Sequence, residues 1–123
     1  MTSVKVIDAS ALAALLFGEP ESDAVAERLQ GVELAAPPLL GFELATVCLV
    51  KARRYPERRD LLKSALHLAS RLAIEMVAVD SREARALAEA TGLTPSDASY
   101  LWLARKLGCE LVTLDAKLAA ATS

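Results

Sequence analysis

The sequence predicts an α/β fold: a parallel sheet with helices on both faces. Three observations carry this. Short apolar or β-branched runs alternate with longer segments of helical character along the whole chain, the order that a parallel sheet with crossover helices requires. Most glycines and prolines fall between these runs, where helices start and stop. An acidic residue stands repeatedly between a strand and the helix that follows it. No repeat, low-complexity run or linker divides the 123 residues, so 1–123 reads as a single domain, long enough to bury a core.

The elements follow in order. "VKVI" (Val4 to Ile7) is β-branched and short, which predicts the first strand, and Asp8 closes it. "SALAALLF" (Ser10 to Phe17) turns helical with Ser10 as its expected N-cap, and "GEPE" breaks it. A second helix is expected from Ser22 to Gln30, closed by Gly31, and "VELAA" (Val32 to Ala36) is the second strand. After Pro37-Pro38 a core helix spans Leu39 to Arg54. Pro56, suited to a first turn, opens a helix to Leu72. "IEMVAV" (Ile74 to Val79) is the third strand, and "SREARALAEATG" a helix ended by Gly92. "TPSD" (Thr94 to Asp97) is a helix N-terminus, with a cap, a proline in the first position and an acid three residues after Thr94. That helix reaches Leu107 and stops at Gly108. "CELVTL" (Cys109 to Leu114) is the fourth strand, and Asp115 precedes a last short helix.

Composition excludes several classes. A chain that is 54% hydrophobic and 24% charged is neither disordered nor, at net charge −2, globally basic. The start at Met1 to Lys5 does not open a secretory leader. The two cysteines, Cys48 and Cys109, lie outside any CxxC pattern, so they read as buried thiols of a cytoplasmic protein. The apolar stretch Leu34–Val50 is no membrane span: Pro37-Pro38, Gly41 and Glu43 interrupt it.

Glu43 poses the sharpest question, because it is the only charged residue in that stretch. Burying a carboxylate among apolar groups is costly unless it is paired, bonded or metal-bound. Phe42, Leu44, Val47 and Val50 are residues of the kind that face a core, and at mid-helix an acid is not a cap. Either Glu43 keeps to a solvated edge or pairs with an arginine, or several acids converge on a hard divalent cation, which takes oxygen ligands. Asp8 and Asp115 each follow a strand and precede a helix. In open parallel sheets ligands gather beyond those strand ends, so the two acids share one crevice if their strands are neighbours. Ser10 and Thr113, each two residues away, could orient them. An Asp before a helix is also a common cap, a reading open to Asp8, Asp97 and Asp115 alike. Asp80 has the same position, and spacing alone does not separate it from them.

"VIDASALAALLF", "GFELATV", "TPSDASYLWLARKLG" and "ELVTLDAKL", in that order over nearly the whole chain, resemble the PIN-domain ribonucleases, specifically the VapC-type toxins of toxin–antitoxin pairs. The resemblance implies a three-layer α/β/α sandwich around a short parallel sheet of four to five strands. It implies that Asp8, Glu43, Asp97 and Asp115 form the acidic catalytic quartet, and it leaves Asp80 out. It implies endonucleolytic cleavage of RNA dependent on Mg²⁺ or Mn²⁺, a homodimer, and a small cognate antitoxin as partner. Asp8, Asp97 and Asp115 would hold the ion, with Ser10 and Thr113 supporting them. Glu43 would be a further ligand or would orient the attacking water. Only eight residues follow Asp115, where relatives often carry another polar ligand and a final strand.

RNA needs a cationic landing surface. Residues 51–63 hold six basic residues against two acids, a net +4 that leaves −6 for the rest of the chain. Arg53, Arg54, Arg58 and Arg59 are therefore the expected phosphate contacts; a solvated basic loop is the alternative. His67, the lone histidine, reads as structural, as do Tyr100 and Trp102. Leu61, Leu62, Ala65, Leu66, Leu68 and Ala69 give their helix more apolar surface than one face needs, which suits a dimer or an antitoxin groove. Two other functions fit parts of the pattern. One is a catalytically inactive module binding RNA or protein. The other is a phosphoacceptor domain acting through an aspartate after its first strand, although such a domain wants a lysine where Asp115 stands.

Overall fold

A computed structural model describes residues 3–122; Met1, Thr2 and Ser123, the ends of the expected 1–123 domain and part of the start read for a leader, lie outside the described residues. At its centre is β1 (Ser3–Ile7), whose Val6 and Ile7 are fully buried. Both buried residues are β-branched, as suits the part of a strand covered on both faces. On one side it pairs in parallel with β2 (Val32–Ala36), with Val6 opposite Ala35. On the other it pairs in parallel with β4 (Leu111–Val112), with Ile7 opposite Val112. β3 (Ile74–Met76) joins the far side of β2, giving the order β3-β2-β1-β4. The sheet is four-stranded and all parallel, as expected; among the described residues no fifth strand is added.

Among the described residues seven α-helices flank it: α1 (Ala9–Leu16), α2 (Ser22–Arg28), α3 (Leu40–Arg54), α4 (Arg59–Ala69), α5 (Ser81–Thr91), α6 (Pro95–Leu107) and α7 (Ala116–Ala121). This is the expected α/β sandwich. α3 turns Leu40, Leu44 and Cys48 inward, one residue per turn. α6 buries Ala98, Tyr100, Leu101, Leu103 and Ala104 and packs on α5 and β1. Among the described residues no helix is long and apolar enough to cross a membrane.

Several boundaries differ from expectation, each for a visible reason. Asp8, not Ser10, caps α1: its side chain accepts from Ala11 N, and Ser10 sits inside the first turn. α2 ends at Arg28 rather than Gln30, with Gly31 in the left-handed region at φ +69. Pro56–Arg58 is a 3₁₀ turn, and α4 ends at Ala69 rather than Leu72, where Ser70 Oγ donates to His67 O. β3 stops at Met76; one further bond, Val77 N to Ala36 O, follows before the chain turns to cap α5. β4 stops at Val112 because Leu114 N leaves the sheet to donate to Ser10 Oγ.

Two readings of α3 also need correction. Glu43 is not at mid-helix but in the first turn, where a negative charge is favoured by the helix dipole. Phe42 and Val50 do not face the core: they are 82% and 59% exposed.

Candidate active site

The strand order itself creates a crevice. The chain builds outward from β1 to β2 to β3, then crosses back to place β4 on the other side of β1. Such a reversal leaves a gap beyond the carboxyl ends of the two strands, the usual ligand position in an open parallel sheet. Asp8 N donates to Val112 O at 3.2 Å, so the residues after β1 and after β4 leave the sheet side by side.

Asp8, Glu43, Asp97 and Asp115 all line one cavity of about 420 Å³ at this place, together with Ala9, Ser10, Thr46, Val47 and Tyr100. Four separate elements deliver the acids. Asp8 and Asp115 are the N-caps of α1 and α7, Glu43 lies in the first turn of α3, and Asp97 in the first turn of α6. Asp80, capping α5 after the remote strand β3, stays exposed and is not among the residues lining this cavity.

A hydroxyl relay fixes Asp8. Its Oδ1 accepts from Ser10 Oγ at 2.7 Å and Ala11 N at 3.0 Å, and its Oδ2 accepts from Thr113 Oγ1. Ser10 Oγ in turn accepts from Leu114 N at 2.9 Å, and Thr113 Oγ1 from Asp115 N at 3.0 Å. The two hydroxyls thus lock the β1–α1 turn to the β4–α7 turn. Asp115 uses Oδ1 to cap Leu118 N at 2.8 Å. Glu43 Oε1 accepts from the Tyr100 hydroxyl.

This arrangement gathers negative charge. Among the described residues none of the four carboxylates forms an ion pair; the recorded pairs involve Glu19, Glu89 and Glu110. Burial pushes the Asp8 carboxyl above its ordinary range, against the bonds from Thr113, Ala11 and Ser10, and the Asp115 charge adds to the push. Burial also raises Glu43, against the Tyr100 bond, with Asp97 and Asp8 repelling it further. Tyr100 is held strongly protonated, first by burial and then by its bond to Glu43.

Oxygen donors remain available. Asp8 keeps a lone pair on Oδ2, Asp115 and Glu43 each keep their second oxygen, and among the described residues no hydrogen bond engages the Asp97 carboxylate. No three His, Cys, Asp or Glu side chains among the described residues are grouped tightly enough to hold one metal ion between them. The donor chemistry nevertheless fits a hard cation. An all-carboxylate ring around an open cavity suits an ion such as Mg²⁺ that keeps several waters, better than one gripped by protein atoms alone.

Arg53, Arg54, Arg58 and Arg59 are all exposed, at the far end of α3 and in the turn after it. Arg54 lies eleven positions along α3 from Glu43, a rise of about 16 Å, so the basic patch stands away from the cavity instead of beside it as expected. His67 is exposed and remote. Leu61 and Leu68 are 65% and 55% exposed, while Leu62 is buried. Tyr100 is the residue sequence reasoning missed. Its ring is in the core, as expected, but its hydroxyl reaches Glu43 in the site. Its spacing of three from Asp97 was the available signal, since such pairs share a helix face.

Residues 5–122 match the PIN domain family. The chain is 38% identical over 120 residues to Ribonuclease VapC3 of Pyrobaculum aerophilum, covering 93% of this chain and 91% of that protein. The crystal structure of PAE2754, also from Pyrobaculum aerophilum, superposes with a TM-score of 0.81 at 27% identity, over 100% of this chain and 87% of that one. VapC20 of Mycobacterium tuberculosis, described as a toxin cleaving the sarcin–ricin loop, superposes with a TM-score of 0.65 over 95% of this chain and 94% of that one. At 18% identity that last likeness shows the fold alone.

Proposed function

This chain belongs to the PIN domain family, and on that premise we propose that it is a metal-dependent endoribonuclease acting as the toxin of a toxin–antitoxin pair. One observation carries the reading: four carboxylates from distant parts of the sequence line a single cavity at the reversal of the sheet, and no ion pair offsets their charge among the described residues. The 38% identity to a protein named as a ribonuclease supports the choice of RNA.

In this reading Asp8, Asp97 and Asp115 would hold Mg²⁺ or Mn²⁺, directly or through water. When bound, the ion lowers the pKa of a coordinated water and neutralises phosphate oxygens. The chain's own residues do the rest. Ser10 and Thr113 keep Asp8 aimed at the cavity. Glu43, with one oxygen occupied by Tyr100, offers the other as a ligand or as the acceptor that orients the attacking water. The oxygen of the attacking water adds to phosphorus as that water gives up a proton to solvent, one phosphodiester P–O bond breaks, and the leaving oxygen takes a proton from solvent. Arg53, Arg54, Arg58 and Arg59 would meet the RNA at phosphates distant from the one being cleaved. A small antitoxin and a second copy of the chain are the partners this reading entails. Leu61 and Leu68, seven residues apart and exposed on α4, are apolar surface available to one of them.

The test is cleavage of single-stranded RNA by the purified protein with Mg²⁺, with chelator, and with Asp8→Asn. Cleavage that needs the ion and is lost in the variant is expected. Metal-independent or absent cleavage by the wild type would overturn the reading. RNA binding without cleavage would favour the inactive module.

A further inference from the structure

We propose that Tyr100 is a positioning residue, whose hydroxyl holds Glu43 in the carboxylate cavity against the repulsion of its neighbours. The inference rests on the ribonuclease reading above and adds a residue to its machinery. Tyr100 is 1% exposed and heads the fully buried side chains in volume, yet it lines the cavity and its hydroxyl donates to Glu43 Oε1. A ring so enclosed has no rotamer freedom, so the position of its hydroxyl is set by the fold. Glu43 is the opposite case. It is half-buried in the first turn of a helix, on a flexible side chain, beside the Asp97 and Asp8 charges. Left to itself it would relieve that repulsion by swinging into water.

Packing alone does not call for the hydroxyl. Phenylalanine would fill the same volume without a buried polar group to satisfy. Among the described residues, the Tyr100–Glu43 bond is also the one recorded hydrogen bond that joins α6 to α3. It therefore ties the helix carrying Asp97 to the helix carrying Glu43. With Oε1 held, Oε2 is the oxygen presented to an ion or to water.

The experiment compares wild type, Tyr100→Phe, Glu43→Gln and the double variant in Mg²⁺-dependent RNA cleavage, alongside Mn²⁺ binding by titration calorimetry. Circular dichroism checks that each variant is folded. Removing a residue that orients a ligand typically costs about 10- to 100-fold in activity or metal affinity. Tyr100→Phe should thus lose about tenfold or more in kcat, with KM for RNA within about twofold. In the Glu43→Gln background the same change should cost nothing further, because Tyr100 acts through Glu43. A wild-type kcat in Tyr100→Phe, or a full additional loss in the double variant, overturns the proposal. Should the wild type bind Mn²⁺ but cleave no RNA, the ribonuclease reading fails and the binding arm decides. A loss of about tenfold or more in Mn²⁺ affinity in Tyr100→Phe then upholds the positioning role, and a smaller change overturns it. A wild type that neither binds nor cleaves overturns both.

Discussion

Thr113→Val isolates the relay that holds Asp8. Thr113 is 8% exposed, and its hydroxyl donates to Asp8 Oδ2 while accepting from Asp115 N. Valine keeps the shape of the side chain and removes both bonds. The bond to a charged acceptor contributes about 1.5–3 kcal/mol, and the bond from Asp115 N about 0.5–1 kcal/mol, since Asp115 is exposed and water can replace it. The expected loss is about 2–4 kcal/mol, which at about 4 °C per kcal/mol for a domain of this size lowers Tm by about 8–16 °C. The loss also depends on pH. Thr113 donates to the ionised carboxylate and so pulls the Asp8 pKa down, against the burial that raises it. Its contribution is complete while Asp8 is ionised and shrinks as pH falls through the folded-state pKa, which lies above the ordinary aspartate value. Urea melts at pH 7 and at progressively lower pH measure this, with Thr113→Ser as the variant that restores the hydroxyl. A Thr113→Val protein within about 0.5 kcal/mol of wild type at pH 7, or one equally destabilised at every pH, would refute the account. In the second case packing, not the bond, would be responsible.

Three further outcomes are expected. Asp8→Asn should melt higher than wild type at pH 7. A buried acid whose folded pKa is raised stabilises the fold below its unfolded pKa and loses that contribution as pH rises through the folded value, so the gap should close near pH 4; thermal melts across that range show it, and a lower melt at pH 7 contradicts it. Mg²⁺ at ten times its Kd should stabilise the wild type by about 1.4 kcal/mol and Asp8→Asn by much less, read as a shift in Tm with and without EDTA. Arg53→Glu with Arg54→Glu should weaken binding of long RNA and flatten its salt dependence by about 1.4 in log–log slope if each arginine neutralises one phosphate of a single strand. Oligonucleotides too short to span the distance from the cavity should be cleaved as before.

Local chemistry made much of this architecture legible. Thr94, Pro95 and Gly108 bracket α6 at both ends, and all three are local signals: a cap accepting from Asp97 N, a ring suited to the first turn, and a left-handed C-cap at φ +63. The bounds of β2 agree with the apolar run that names it. The misplaced boundaries are those set by distant partners. β-prone residues, Thr113 and Leu114, continue past Val112, and what ends β4 is a serine 104 positions earlier in the chain. Ser10 was a reasonable cap by type. Asp8 displaced it by accepting from Ala11 N itself, and Ser10 turned its hydroxyl to Asp8. Tyr100 was hidden by its size, since a large aromatic on an apolar helix reads as core until the far end of the ring is located.

The aspartates show why capping a helix and lining the cavity are not alternatives. Asp8, Asp80 and Asp115 all cap helices with a side-chain oxygen, so local sequence treats them alike. Strand order separates them. β1 and β4 are neighbours, so the residues that follow them open on the same gap, whereas β3 lies two strands from β1 on the other side, about 10 Å away at the usual strand spacing. A capping bond engages one lone pair of a carboxylate that has about four. In Asp115 the bond to Leu118 N fixes Oδ1 and thereby aims Oδ2, so the cap is the device that orients the free oxygen. Asp97 reaches the same cavity without capping, because Thr94 supplies that bond and leaves its carboxylate free. Capping therefore costs the site little binding capacity and gives it rigidity, and an Asp-to-Asn change at such a position should leave the helix start intact while removing the charge.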